Sequence, residues 1–294
     1  HGMEHPDMII LTADILLEEA ERLAEHRRTN DGLTVEVVLQ DQVFNEFSSG
    51  TPDVSALRNF MKMFYDRSAV GGEGSDCRYL LLLGDGSFDN RSHPDRIANP
   101  NLLLTYQSEE SLSPTRSYVS DDFFGLLDTD ESMYNGLLDI GIGRLPVSTV
   151  EEAGEIVDKI IGYSSLDKQG EWRNQLCFVG DDEDSNIHMR QANELATYVA
   201  YNYPAYNINK IFLDAYTQED LSTGPRYPDV TRAINDQVNR GALIVNYTGH
   251  GGPSGLAHEK ITTTSDILSW SNKNMLPLFM TCLLYTSDAA DERG

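Results

Sequence analysis

The sequence predicts an α/β protein of two subdomains, each a mainly parallel sheet flanked by helices. Short, wholly apolar runs such as RYLLLLG (78–84) suit strands covered on both faces. These runs alternate with stretches of helical periodicity, giving a βαβα pattern twice along the chain. With 294 residues, 40% of them apolar and 9% aromatic, the chain can bury one large core or two modest ones.

The first pattern begins with MIILT (8–12) as a strand, followed by a helix over 15–30 and, after the stop signal at Gly32, a strand over 33–39. A helix over 54–67, capped by Asp53 or Ser55, leads to the apolar strand at 78–84. Residues 85–135 are rich in Gly, Asn, Ser, Pro and Asp and read as loop, before LLDIGIGRLP (137–146) returns to strand and 151–164 to an amphipathic helix. The second pattern runs through NQLCFVG (174–180), a helix at 188–202, INKIFLD (208–214), a helix at 229–241, ALIVNYTGHGG and a last strand MLPLFMT (275–281). The expected division is 1–165, 166–281 carrying the site, and a tail 282–294.

Forty-seven Asp and Glu against 22 Lys and Arg give a formal charge of −25, which repels phosphate backbones and excludes nucleic acid as a natural partner. No run of about 18 apolar residues is present, so no membrane-spanning segment is expected. The opening residues HGMEHPDM lack the basic and apolar regions of a signal peptide, and the start almost on a strand suggests sequence upstream. Cys77, Cys177 and Cys282 are too few and scattered for a disulfide framework or a zinc site.

In open parallel sheets ligands bind beyond the carboxyl ends of strands. Three loops fall there: GDGSFDN (84–90), GDDEDSN (180–186) and NYTGHGGPSG (246–255). The first lacks the Lys and Ser/Thr of a phosphate-binding loop. The third sets His250 between glycines at a strand end, where a substrate backbone can approach closely. An imidazole can take a thiol proton near neutral pH, and the amides of Gly249 and Gly251 can serve an oxyanion. A tight turn whose histidine merely caps the strand is the bland alternative. Cys282, at the end of a buried strand, is the candidate nucleophile, whereas Cys77 before its strand and Cys177 within one read as structural thiols. His258 reads as an exposed loop residue in preference to an active-site contact, and His188 as a helix-opening residue that caps the helix or holds the neighbouring acidic loop, without catalytic role. Arg144 suits a salt bridge or substrate contact, and Trp172 and Trp270 suit core or interface anchors.

The runs NYTGHGG, SGLAHEKI, DILSW and LPLFMT, in that order, resemble the gingipain-type cysteine peptidases of the caspase-like clan. YLLLLGDGSFDNR, TYQSEESLSPTRSYVSDDFFGLLD and DIGIGRLPV resemble more closely the sortase branch that serves the type IX secretion system; together the similarity covers 7–281. The resemblance implies a caspase-like fold, His250 as base, a thioester acyl-enzyme, and an orienting carboxylate after LCFVG, for which strand-end matching favours Asp182 over Asp181. It implies no required cofactor, with calcium as an added ligand; Asp85, Asp121, Asp122 and Asp184 are the candidate ligands, with Asp89 and Asp181 also in range. It further implies secreted proteins with a C-terminal sorting signal as substrates, other type IX secretion components as partners, and a place at the bacterial cell surface or outer membrane. A general gingipain-like protease, a non-catalytic calcium-binding assembly module and a metal-dependent hydrolase are the alternatives. The tail CLLYTSDAADE resembles the translation of a transposase sequencing adapter, so Cys282 is expected to be foreign and the fragment inert.

Overall fold

The computed structural model describes residues 6–71, 77–87, 101–108, 117–133, 135–165, 169–222, 224–252 and 254–284. Asp89 and most of the tail therefore lie outside the described residues, as does part of the run at 105–128. The chain divides into two compact units, His1–Gly162 and Tyr163–Gly294.

In the first unit the strands are β1 (Met8–Thr12), β2 (Val35–Leu39), β3 (Tyr79–Leu83) and β4 (Gly141–Leu145). They form one sheet in the order β2-β1-β3-β4, every pair parallel. The apolar runs are strands because both faces are covered. Ile9, Leu11, Leu80 and Leu82 face one core, where α2 (Gln40–Phe47) and α3 (Val54–Gly71) supply Phe44, Leu57, Phe60 and Phe64. Met8, Ile10 and Leu83 face the other, closed by α1 (Leu17–Asn30) and α4 (Val150–Tyr163) through Leu23, Ala24 and Val157. Asp53 caps α3, its Oδ1 accepting from the Ser55 amide at 2.8 Å. The periodicity reading missed α2, whose eight residues are too few to display a helical period.

The second unit repeats the plan. β5 (Gln175–Gly180), β6 (Asn207–Phe212), β7 (Ile244–Gly252) and β8 (Leu278–Leu284) lie in the order β6-β5-β7-β8, again all parallel. α5 (Glu183–Asn202) covers Leu176 and Phe178 through Ala196, while α6 (Pro228–Arg240) covers Val179, Val245 and Tyr247 through Val230, Ile234 and Val238. In local numbering both sheets read 2-1-3-4. The strand order reverses between the first and third strands of each, and that switch point opens a crevice at the carboxyl ends. In the second unit it lies between β5 and β7. The polar stretch after β7 holds a short helix, α7 (Thr264–Ser269), begun by a capping box between Thr263 and Asp266. Trp172 is buried, and Trp270 stacks on Phe279 with ring centroids 5.3 Å apart, so both act as core anchors. Among the described residues no helix is long and apolar enough to cross a membrane.

Arg144, on β4, ties three loops of the first unit together. Its Nε and Nη2 donate to the two carboxylate oxygens of Asp121, each at 2.7 Å, and it also donates to the carbonyls of Gly84 (2.9 Å) and Leu104 (3.1 Å). The planar fork of an arginine suits this bidentate pairing. Asp121, expected among calcium ligands, thus already has a cation on both oxygens, while Asp122 beside it is exposed. The pair is half-buried, so Arg144→Ala should cost about 1–3 kcal/mol, between the values for exposed and buried pairs. Urea denaturation would register this as a lowered midpoint, and Arg144→Lys should recover only part of it.

Candidate active site

The site is built where β5 and β7 end side by side. The ladder between them continues one residue past β5, because the Asp181 amide donates to the Thr248 carbonyl at 3.1 Å. This holds Asp181 in strand geometry, fully buried, with its carboxylate turned towards β7. Its Oδ2 accepts from the His250 backbone amide at 2.9 Å and lies 2.9 Å from the ring nitrogen Nδ1. An ionised carboxylate only accepts, so the Nδ1 that meets Asp181 carries a proton. The Tyr247 hydroxyl donates to the His250 carbonyl at 2.6 Å, and the Ala257 amide donates to it at 2.8 Å. Main chain and ring of His250 are therefore both fixed.

Gly249 makes this packing feasible. A Cβ there would sit 2.4 Å from the Asp181 Cβ and 2.5 Å from the Tyr247 hydroxyl oxygen. The glycine before His250 thus serves close approach of the carboxylate from within the protein. Gly251 pairs with Leu256 in a short antiparallel bridge.

Asp182, the carboxylate favoured from the sequence, takes another partner. Its Oδ2 accepts from the Tyr227 hydroxyl at 2.7 Å, while Oδ1 is buried without a hydrogen-bond partner. Glu259 is also buried; its Oε1 accepts from Gln218 at 2.9 Å and its Oε2 has no partner. Burial pushes both carboxyl groups above the ordinary carboxylate range. The carboxylate that meets the His250 ring is accordingly Asp181, and the one-residue difference from the sequence expectation reflects how far the ladder extends.

Two further histidines surround His250. His188, on α5 and buried, packs edge-on with ring centroids 4.9 Å apart. His258 stacks on the opposite side at 5.5 Å with a 9° interplanar angle, its Nδ1 2.6 Å from Glu183 Oε1. Sequence reasoning favoured neither as a site residue. It did expect His188 to cap its helix or hold the neighbouring acidic loop, and its Nε2 lies 3.3 Å from Asp184 Oδ2. Asp184, Ser185 and Asn186 take left-handed backbone angles, with φ of 51, 56 and 63°. They bring Asp184 Oδ2 to 3.2 Å from His250 Nε2 and 3.3 Å from His188 Nε2.

Strand register places the thiols. β8 runs parallel to β7 with Cys282 opposite Thr248 and Leu284 opposite His250. Residues two apart share a face, so Cys282 stands on the correct face but about 6.6 Å short of the histidine along the strand. It is exposed. Cys77 and Cys177 are buried, which pushes their thiols up to about 11 and about 12 respectively, as structural thiols require. Of the expected calcium ligands, Asp184 joins a cluster with His188 and His250, and Asp181, also in range, joins one with Asp182 and Glu259; Asp85, Asp121 and Asp122 join no such cluster among the described residues.

Comparison with known proteins agrees with this architecture. The model of peptidase family C25 matches residues 1–289. Gingipain R2 of Porphyromonas gingivalis is 25% identical over 256 residues, covering 84% of this chain and 28% of its own, and gingipain R1 of the same species is 25% identical over 256 residues, covering 84% and 20%. The chain thus spans less than a third of these relatives. The crystal structure of the Arg-specific cysteine proteinase gingipain R superposes with a TM-score of 0.62 at 21% identity, covering 96% of this chain and 56% of that one. That of dimeric latent PorU from P. gingivalis gives a TM-score of 0.49 at 34% identity, covering 90% and 21%. The parallel sheets flanked by helices are the caspase-like fold of this family, and the chain belongs to peptidase family C25, the gingipain-type cysteine peptidases.

Proposed function

We propose that this chain carries the base and scaffold of a cysteine endopeptidase that works through a thioester acyl-enzyme and passes the acyl group to an amine. The observation that carries the proposal is the buried Asp181–His250 pair at the switch point of the second sheet, with the next parallel strand, β8, alongside. Nε2 of His250 takes the proton of a thiol on β8. The thiolate then attacks the substrate carbonyl, and the imidazolium, stabilised by Asp181, returns the proton to the leaving amine. Water or an acceptor amine completes the cycle by attacking the thioester. Gly251, adjoining the base, is the proposed oxyanion donor.

The sortase assignment, with secreted proteins bearing a C-terminal sorting signal as substrates and type IX secretion components as partners at the bacterial surface, rests on the runs YLLLLGDGSFDNR, TYQSEESLSPTRSYVSDDFFGLLD and DIGIGRLPV. Calcium on the acidic loops is a separate proposal without bearing on the chemistry. A broad gingipain-like protease is the competing reading. Incubating the full-length protein with a sorting-signal substrate and a small primary amine separates the two: a sortase yields the amide conjugate, a protease only the hydrolysed acid.

Asp181→Asn should lower kcat of the full-length protein by about 10³–10⁴-fold, because the amide no longer fixes the Nδ1–H tautomer. Asp182→Asn should change kcat by less than about tenfold, and equal losses in the two variants would contradict the assignment. Register gives another expectation. A Leu284→Cys thiol, level with His250, should react with iodoacetamide faster than Cys282 at the same pH, and His250→Ala should remove the difference.

A further inference from the structure

The geometry points to a Zn²⁺ site formed by Asp184, His188 and His250, in which the metal takes the Nε2 lone pair of His250 and reversibly holds the enzyme off. The inhibitory consequence rests on reading His250 as the base; the site itself rests only on the three side chains. Their ligating atoms all lie within 4.8 Å of one another. Asp184 Oδ2 is 3.2 Å from His250 Nε2 and 3.3 Å from His188 Nε2. A tetrahedral ion with bonds of about 2.0–2.1 Å sets its ligands about 3.3–3.4 Å apart, which two of the three edges already approach.

The donor set selects the metal. Two imidazole nitrogens and one carboxylate oxygen form the usual protein complement of a zinc ion that keeps one position open for water, whereas calcium and magnesium prefer oxygen alone. Both imidazoles are buried, so their rings are held by packing before any ion arrives. His250 also has the outer partner that zinc-bound histidines use, since Asp181 receives its Nδ1–H and leaves Nε2 directed at the metal. Asp184 is the one exposed ligand, on the left-handed turn that opens α5, and gives the ion a route from solvent. Binding exchanges waters on the hydrated ion for the three side chains, and the Nδ1 proton of His250 stays in place. Once Nε2 is bound it cannot accept a thiol proton.

The test titrates Zn²⁺ alone, and separately Co²⁺, into the purified chain by calorimetry and visible absorption, with His188→Ala, Asp184→Asn and His250→Ala in parallel. Melting in chelator shows which variants keep the fold; exposed Asp184 supplies a test should His188→Ala fail to fold. One ion per chain is expected, with an intense four-coordinate Co²⁺ spectrum and affinity at least about tenfold weaker in each folded variant. In the full-length protein Zn²⁺ should suppress cleavage, chelator should restore it, and Asp184→Asn should need about tenfold more Zn²⁺ for the same fractional loss. Unchanged affinity in Asp184→Asn, a weak six-coordinate Co²⁺ spectrum, or cleavage unaffected by bound Zn²⁺ would overturn the proposal. Should His250→Ala retain cleavage while losing the ion, the metal site stands and the assignment of the base fails.

Discussion

The hydrogen bonds from His250 to the buried carboxylate of Asp181 are the constraint on which the second unit's architecture turns. A carboxylate with no solvent exposure must be compensated inside the protein. Here the shorter bonds come from His250, whose backbone amide and ring both meet Oδ2, while the Glu183 amide donates to Oδ1 at 3.5 Å. To bring that residue within reach, β5 and β7 must be neighbours, their ladder must run to Asp181, and position 249 must lack a side chain. Tyr247 then anchors the His250 carbonyl from below. Fold and site are therefore specified by the same few contacts, and the glycines around the histidine answer to internal packing as well as to substrate access.

The surroundings amplify the pair. Asp182, Glu183, Asp184 and Glu259 all lie near it, and a developing imidazolium gains from each of them that is ionised. Burial pushes two of those carboxyl groups, Asp182 and Glu259, above the ordinary carboxylate range. Asp181 differs from both in its partners, the amide and ring of His250. Two adjacent acids thus play different parts: one orients the histidine, and the other bonds Tyr227 beneath it.

Much of this was legible in the chain. The strands of both sheets follow from apolar runs that need cover on both faces, and His250 follows from a glycine-flanked histidine at a strand end in a recognisable order of motifs. What the chain did not disclose depends on register and on backbone hand. Asp181 and Asp182 are chemically identical neighbours, and only the extra rung from the Asp181 amide to Thr248 decides between them. His188 was read as a holder of the acidic loop, but its place beside His250 was not, because the turn over Asp184–Asn186 adopts positive φ without a glycine to announce it. His258 reaches the ring by a stacking contact across a loop that carries no periodic pattern. Cys282 looked correctly placed because the motif ends there, yet pairing with β7 sets it opposite Thr248 and leaves position 284 level with His250.

The most direct measurement is the tautomer of His250, read from proton–nitrogen correlation spectra of its imidazole ring in the intact chain. The account predicts an Nδ1 proton hydrogen-bonded to Asp181, and loss of that bond in Asp181→Asn but not in Asp182→Asn. A ring protonated on Nε2 alone, or one indifferent to Asp181→Asn, would contradict it.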